Sequence, residues 1–474
     1  MSSAILKRIL QKPKPDSNIS ITLLHTTTVS SPPSDPLISS TVSILTHHRS
    51  KSRWSTLKSL NPTGFTSSQF SEITLHLRNN PHLSLHFFLF TRRYSLCLHD
   101  LASYSTLIHI LARSRLKSHA RDVIRLALRL EETERVSKVF RSLIKSYNRC
   151  GSAPFVFDLL VKSCLDSKEI DGAVMVMRKL KSKGIDLQIS TCNALISEVS
   201  KRRGASYGYN LYREVFCLDD VIAKVKPNVN TYNLMMVSFY REGDTEMVER
   251  IWREMECSPN AYSYSVLMET YCARGMMSEA GKIWEEMKLK GVGYDVVAYN
   301  TMIGGLCSNL EVSKAKELVR EMGLKGIECT SLTYEHLVNG YCKVGDVDSG
   351  MVVYRDMKRK GFEVEGLTVE VLVEGLCNSE KRRAVEAVEI VKEGYEFYPS
   401  RKCYELLIKK LCEEGKMERA LNIQAEMVGK GFKPSQETYK AFIDGYGTVG
   451  DEETSALLAI EMTESLKLRE EDES

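Results

Sequence analysis

The sequence has no uninterrupted apolar run that approaches 18 residues, and so it offers no candidate for a membrane-spanning helix. Its 13 cysteines are odd in number, and none belongs to a C-x-x-C pair. Because a secretory signal pattern is also missing, these cysteines are interpreted as reduced thiols. Nine of the ten histidines lie before residue 120, which disfavours a histidine-based general acid or nucleophilic dyad over most of the chain. The sequence therefore predicts no catalytic residue, no metal site and no cofactor.

Acidic residues are nearly missing from the first 60 positions, which hold eight Lys and Arg against Asp16 and Asp35. The rest of the chain carries 57 basic and 59 acidic residues, so the net charge of +4 comes from this leader. A body close to neutral weakens any case for nucleic-acid binding from bulk charge. Attraction for phosphate would have to come from a local stripe of basic residues.

The leader also has the composition of an organelle transit peptide, with 21 Ser and Thr in 60 residues and no Glu before Glu72. In "SSAILKRILQK", apolar residues recur at helical spacing, basic residues lie between them, and Pro13 ends the run. A short basic amphipathic helix favours mitochondria over plastids. The alternative is a disordered, solvated tail.

A fixed period organises the remainder of the chain. Five cysteines lie 35 residues apart: Cys272, Cys307, Cys342, Cys377 and Cys412. Aligning the chain on the tyrosine of "TYN" as the fourth place gives rows that start at Pro154, Ile189, Val229, Ala261, Val296, Ser331, Gly366, Arg401 and Gln436. Two rows are irregular, with 40 and 32 residues, and a looser row starts near Leu101. Internal repetition at this period indicates a solenoid.

Within one row, two apolar stripes at helical spacing are separated by a glycine. In the row from Ser331, the first stripe runs from Tyr334 to Cys342 and the second from Val347 to Met357, with Gly345 between them. Each row is thus predicted to be a helical hairpin. Since one hairpin cannot cover its own apolar faces, the hairpins must stack on one another. The sequence predicts an all-α solenoid of stacked helix-turn-helix repeats of about 35 residues.

The repeated cysteines are interpreted as packing residues, because equivalent side chains of stacked units cannot converge on one tetrahedral metal ion. The run "GYGTVG" at residues 445–450 matches the dinucleotide motif G-x-G-x-x-G. It follows a predicted helix rather than a strand, and Gly445 and Gly450 match Gly340 and Gly345 in row position. It is therefore read as an inter-helix turn.

The predicted domain organisation begins with a transit peptide at residues 1–60 and a degenerate helical cap at 61–100. A degenerate repeat at 101–153, nine tandem repeats at 154–470 and an acidic tail at 471–474 complete it.

The rows "VNTYNLMMVSFYREGD", "VVAYNTMIGGLCSN" and "ERALNIQAEMVGKGFKPS" resemble the pentatricopeptide repeat family, in particular its P class of plant organelle proteins. The resemblance runs from Leu101 to the C-terminus. It implies a right-handed superhelix whose first helices line a face that binds single-stranded RNA at about one nucleotide per repeat.

In that family, the fifth and last residues of a repeat read the base edge. Carried over row by row, the base-reading pairs are Asn193 with Asn228, Asn233 with Asn260, Ser265 with Asp295, and Asn300 with Thr330. The resemblance implies pyrimidines for the two Asn–Asn rows and the Asn–Thr row, and guanine for the Ser–Asp row. Asp158 with Gln188 implies no clear base. The base-flanking residues in second place are Asn230, Tyr262, Val297 and Leu332, and the basic residues expected to meet phosphate are Lys201, Arg241 and Lys343.

Two departures limit this assignment. Glu335, Glu370 and Glu405 occupy the fifth place in three rows, where an anion is unfavourable beside phosphates. The 40- and 32-residue rows are expected to displace the loops that carry Asn228 and Asn260.

The function implied is that of a non-enzymatic, sequence-specific single-stranded RNA-binding protein. It would act in the stability, end processing, splicing or translation of an organelle transcript. No deaminase signature of the H-x-E and P-C-x-x-C kind is present. The alternative is a helical scaffold for proteins in an organelle ribosome or processing complex, which the near-neutral body and the three glutamate rows favour.

Overall fold

The computed structural model describes residues 35–47, 54, 56–130, 132–216, 225–379, 383–393, 399–460 and 462. The acidic tail at 471–474 and residues 1–34 of the predicted transit peptide lie outside these residues. The chain divides into two compact units, Met1–Leu159 and Leu160–Ser474.

The described residues fold into helices, and their one recorded extended pairing is an isolated bridge between Phe65 and Cys97. The all-α prediction is confirmed. The helices of the first unit are α1 Pro36–His47, α2 Thr56–Leu60, α3 Ser67–His76, α4 Pro81–Arg93, α5 Leu101–Arg113, α6 Lys117–Arg129 and α7 Arg135–Cys150, and α8 Phe155–Asp166 crosses the boundary between the units.

Helix α1 lies inside the segment predicted to be a leader, yet it belongs to the packed core of the first unit. Ile38, Thr41 and Leu45 are buried. The amide of Gln69 donates to the carboxylate of Asp35 at 3.0 Å, which joins the start of α1 to α3. The folded part of the chain therefore begins no later than Asp35.

Two histidines of the first unit pack against its core, His109 fully buried and His99 half-buried. His109 is buried, with Nδ1 2.7 Å from the Ser152 hydroxyl and Nε2 3.0 Å from the Leu143 carbonyl oxygen. Burial lowers the pKa of His109 to about 4, and burial together with Arg92 lowers the pKa of His99 to about 4. Both rings are neutral at physiological pH, which suits packing and hydrogen bonding.

In the second unit, a helix begins at the first residue of eight predicted rows. The first helices are α10 Ile189–Arg203, α12 Val229–Arg241, α14 Ala261–Ala273, α16 Val296–Ser308, α18 Ser331–Lys343, α20 Gly366–Asn378, α22 Arg401–Glu413 and α24 Gln436–Val449. The second helices are α9 Ile170–Lys181, α11 Ala205–Phe216, α13 Thr245–Glu254, α15 Met277–Leu289, α17 Val312–Leu324, α19 Val347–Arg359, α21 Ala384–Glu393 and α23 Met417–Gly429. The 32-residue row is short because α13 has 10 residues where α15, α17 and α19 have 13.

A tyrosine in fourth place ties the two helices of a row together. Its ring is buried, and its hydroxyl donates to a carboxylate on the second helix in four rows. The pairs are Tyr264–Glu286 at 3.4 Å, Tyr299–Glu321 at 3.1 Å, Tyr334–Asp356 at 3.2 Å and Tyr404–Glu426 at 2.9 Å. Burial raises the pKa of the Tyr264, Tyr299 and Tyr404 hydroxyls, so they remain protonated donors.

The spaced cysteines pack between successive first helices. A Cβ placed on Gly340 would lie 2.8 Å from both the Cβ and the Sγ of Cys307, and one on Gly445 would lie 2.9 Å from the Cβ of Cys412. Glycine in tenth place thus gives room for the cysteine of the preceding row. Burial raises the pKa of Cys307 and of Cys342 to about 12, so both are thiols. The packing interpretation is supported by these contacts.

The run "GYGTVG" was predicted to be an inter-helix turn, but only its last residue lies at the turn, because the helix continues to Val449. Gly445 and Gly447 lie within α24, and Gly450 ends that helix in the left-handed conformation with φ 87°. Among the described residues, no helix has the length and apolar content that crossing a membrane requires. The same residues include no group of three or more His, Cys, Asp or Glu side chains placed to hold a metal ion.

Candidate nucleic-acid interface

The predicted base-reading residues in last place are helix N-caps. Asn228, Asn260, Asp295 and Thr330 immediately precede α12, α14, α16 and α18, and each has an extended backbone. The side chain of Asp295 accepts from the amide N–H of Ala298 at 2.8 Å. Small Asn, Asp and Thr side chains are favoured here because their oxygens satisfy N–H groups at the start of the helix. The last place therefore has a structural role besides any contact with a ligand.

The predicted partners in fifth place lie on the first helix of the same row, and they reach the residue that caps the next first helix. The amide nitrogen of Asn193 donates to Asn228 Oδ1 at 3.4 Å, that of Asn233 to Asn260 Oδ1 at 3.2 Å, and that of Asn300 to Thr330 Oγ1 at 3.1 Å. Asn233 and Asn300 are buried, and Asn193 is half-buried. These side chains are therefore held in hydrogen-bonded pairs, and they are not freely solvated polar groups on an exposed helix face.

The Ser265–Asp295 row is arranged differently. Ser265 is buried and its hydroxyl donates to the carbonyl oxygen of Ala261 at 3.0 Å, within its own helix. One carboxylate oxygen of Asp295 accepts the N-cap hydrogen bond of α16. A carboxylate has a second oxygen that can accept further hydrogen bonds.

The irregular row lengths do not displace Asn228 and Asn260, contrary to the expectation from sequence. The backbone angles φ and ψ are −114° and 175° at Asn228 and −104° and 176° at Asn260, close to −105° and 175° at Asp295. The reason is that each residue is fixed by the helix it caps, whereas the change in length falls on the part of the row before the cap.

The glutamates in fifth place have structural partners. Glu335 accepts from the backbone N–H of Glu365 at 3.1 Å, and Glu370 accepts from that of Ser400 at 2.8 Å. Glu405 instead pairs with Arg401 at 3.0 Å. Burial raises the pKa of Glu335. Glu335 and Glu370 thus join consecutive rows through a backbone group, where the asparagine rows use a side chain.

The predicted base-flanking residues are exposed on the first helices. Tyr262 is 50% exposed, Val297 51% and Leu332 44%, and Asn230 is also exposed. Leu367, in the same place of the next row, is 69% exposed and was missed from sequence, although it follows Leu332 by 35 residues. Exposed apolar side chains in a regular series are unusual on a solvated surface, and they provide faces against which flat rings can stack.

The basic residues expected to meet phosphate are also exposed and close their helices. Lys201, Arg241 and Lys343 lie in the last turns of α10, α12 and α18. The same turn of α10 contains Arg202 and Arg203, which form ion pairs with Glu198 and Asp171. The three predicted residues therefore provide separate exposed positive charges, one in each of three rows.

These features define a solenoid of helical hairpins whose first helices present a ladder of paired polar side chains between exposed apolar ones. The PPR repeat family profiles match residues 227–273, 294–343, 331–378 and 399–448, and a PPR repeat matches residues 262–292. The chain is 76% identical to the pentatricopeptide repeat-containing protein At2g15980 of Arabidopsis thaliana, and the match covers all of both chains. The chain belongs to the pentatricopeptide repeat family.

Two further comparisons place it within known proteins. It is 28% identical to the mitochondrial pentatricopeptide repeat-containing protein At1g11710 of Arabidopsis thaliana, over 40% of this chain and 29% of the relative. The structure of the pentatricopeptide repeat protein PPR10, known from maize, in complex with an 18-nucleotide psaJ RNA element matches with a TM-score of 0.51 at 15% identity. That match covers 90% of this chain and 65% of the other, and it shows a shared fold.

Proposed function

We propose that the protein binds single-stranded RNA in a sequence-specific way through the first-helix face, defined as α10, α12, α14, α16 and α18 with their caps. The observation that carries the proposal is the repeated register of fifth-place and last-place polar side chains, each set between exposed second-place residues. Such a register offers one hydrogen-bonding unit per row, as reading one base per repeat requires.

The chemistry of the ladder suits base edges. An asparagine amide both donates and accepts in one plane, a hydroxyl can do either, and a carboxylate only accepts. The exposed side chains of Tyr262, Val297 and Leu332 would contact the faces of adjacent bases. The RNA complex of PPR10, which shares the fold, gives the proposal further support.

The binding would serve an organelle transcript without catalysis, by stabilising it or by influencing its end processing, splicing or translation. Import into mitochondria is supported by the acid-poor leader and by relatives named mitochondrial. Plastids are the alternative destination. Because α1 is packed into the first unit, we place the cleavage that removes the leader before Asp35.

A protein scaffold is the second candidate function, and a specific observation favours it. The rows from Ser331 and Gly366 carry glutamates in fifth place, and those carboxylates bond the next row's backbone. Rows of this kind would contribute little to RNA binding, and their surface could instead contact a protein of an organelle ribosome or processing complex.

Crosslinking to RNA separates the two functions. The purified full chain would be irradiated with a random RNA pool that carries a photoreactive uridine, and the crosslinked peptides mapped. We expect crosslinks in residues 229–241, 261–273 and 296–308. The double variant Asn233→Ala/Asn300→Ala should lose sequence selectivity among the crosslinked RNAs. Glu335→Ala is the matched control and should retain it. Crosslinks confined to the second helices, or none at all, would contradict RNA binding by this face.

A further inference from the structure

The third place of a row, one residue before the tyrosine, contacts the base-reading asparagine of the preceding row. The hydroxyl of Thr333 donates to Asn300 Oδ1 at 2.7 Å. The hydroxyl of Thr231 lies 2.9 Å from Asn193 Oδ1 and 3.0 Å from Asn228 Oδ1, so its proton is shared between these two oxygens. Both threonines are buried. In these two rows, the carbonyl oxygen and the amide nitrogen of the asparagine are both engaged.

The row from Val229 lacks this contact. Asn233 donates its amide nitrogen to Asn260, but its Oδ1 is buried and has no hydrogen-bond partner. The third-place residue of the next row is Ser263, whose hydroxyl lies 2.9 Å from Asn260 Oδ1 and makes no bond to Asn233. Asn233 is 5% exposed, so the unpartnered oxygen is an unfavourable buried group.

The contact fixes which end of the amide is a donor. When a threonine hydroxyl occupies the carbonyl oxygen, turning the amide over would place an N–H group against another donor's hydrogen and break both bonds. The amide is then held with its nitrogen towards the last-place residue. Asn233 lacks this hydroxyl contact. Turning its amide over breaks only the hydrogen bond from its nitrogen to Asn260, because its oxygen makes none.

We infer that Thr231 and Thr333 are positioning residues that set base selectivity in the preceding row. The row of Asn233 has no strict base preference, because its amide can present either its N–H group or its carbonyl oxygen to the base. This inference rests on the proposed RNA-binding function. Cytosine has an acceptor at ring N3, whereas uracil has an N–H donor there. An amide held as a donor favours cytosine, and an amide that is free to turn binds cytosine and uracil alike.

The sequence contains a matched comparison. The rows from Ile189 and Val229 carry the same pair of predicted readers, Asn and Asn, and they differ in Thr231 against Ser263. In the row from Ala261, the reader Ser265 has no amide to hold, and the third place of the next row is Ala298, which has no hydroxyl.

The test measures affinity of the full chain for RNAs that carry cytosine or uracil at single positions, at one fixed salt concentration. The wild-type protein should discriminate about tenfold at the nucleotide of Asn193 and no more than about twofold at that of Asn233. Thr231→Val should remove the discrimination at the first nucleotide, and Thr333→Val should do so at the nucleotide of Asn300.

Ser263→Ala is the control, because Thr231 and Ser263 both receive the backbone N–H of their caps at 3.2 Å and both variants lose that bond. A purely structural role predicts equal effects of the two changes, with no shift at a single base. Equal discrimination at both Asn–Asn rows in the wild type would overturn the inference while leaving RNA binding intact. Failure of the chain to bind any RNA would overturn the proposed function and the inference with it.

Discussion

The hydroxyl of Tyr299 donates a hydrogen bond to the carboxylate of Glu321, 3.1 Å away on the second helix of the same row. Lys325, which caps the C-terminus of that helix one turn after Glu321, hydrogen-bonds the same carboxylate. The lysine first and the tyrosine after it lower the pKa of Glu321 below its ordinary value of 4.5. The arrangement recurs as Tyr264, Glu286 and Lys290, so it is a general link between the helices of a row.

Glu321→Gln should lower the free energy of unfolding by about 0.5–1 kcal/mol at pH 7, a modest amount because solvent screens this half-exposed carboxylate. Since the folded pKa is below 4.5, the stabilisation is complete above pH 4.5 and is lost as the pH falls through the folded pKa. Urea unfolding over a series of decreasing pH values should therefore show the difference between the two proteins shrinking once the pH falls below 4.5. Glu317→Gln, an exposed position on the same helix, should change little, and a difference that does not depend on pH would contradict the account.

Gly340→Ala should destabilise the protein by about 1–3 kcal/mol, because the new methyl group would overlap Cys307 between α16 and α18. Gly323→Ala is the matched control, since Gly323 lies in α17 with nothing within 4 Å of the added Cβ. That change should stabilise by about 0.5–1 kcal/mol through helix propensity. Thermal unfolding of both variants checks the pair, and equal effects would contradict close packing at Gly340.

Leu310→Gly should raise stability by about 1 kcal/mol. Leu310 has φ 64° and is exposed, at the turn where the following row has Gly345 with φ 81°. A side chain costs about 1–2 kcal/mol in this left-handed conformation, and glycine does not, although glycine loses more chain entropy on folding. Gly345→Leu should do the opposite. Denaturant midpoints measure both, and a loss of stability in Leu310→Gly would mean that its exposed side chain packs favourably.

Asp295→Asn should move the preference at one nucleotide from guanine towards adenine. A carboxylate only accepts, which suits the N–H groups on the pairing edge of guanine, whereas an amide can donate to the ring nitrogen of adenine. Asparagine is an equally good N-cap, so folding should be unaffected. Selection from a random RNA pool, followed by affinities at one salt concentration, should show a change of roughly 1–3 kcal/mol at one position. A uniform change across all bases would favour the scaffold function.

A chain that starts at Asp35 should be as stable as the full chain, whereas one that starts at Trp54 should lose about 3 kcal/mol or more. The second truncation removes buried Ile38 and Leu45, each contributing about 1.5–3 kcal/mol. Thermal unfolding compares the two. N-terminal sequencing of the protein recovered from mitochondria should then give a first residue at or before Asp35, and a first residue after His47 would contradict this placement of the cleavage.

The sequence alone determined the period, the helix starts and the packing residues. Their positions depend on local rules, since a stripe such as Tyr334 to Cys342 specifies a helix face and a glycine such as Gly345 specifies the turn after it. The rows from Val229 to Arg401 begin where a helix begins because the cap residue, the apolar stripe and the turn all recur in each row.

Contacts between rows were decided only by the tertiary structure. Nothing in the spacing shows that Asn193 lies against Asn228 and Thr231, that Glu370 bonds the backbone of Ser400, or that a glycine faces the cysteine of the preceding row. Each of these contacts joins residues 30 or more positions apart, and each depends on how closely consecutive first helices approach. Helical periodicity specifies which residues share a face, whereas the distance between stacked hairpins follows from side-chain volumes on both sides of the contact.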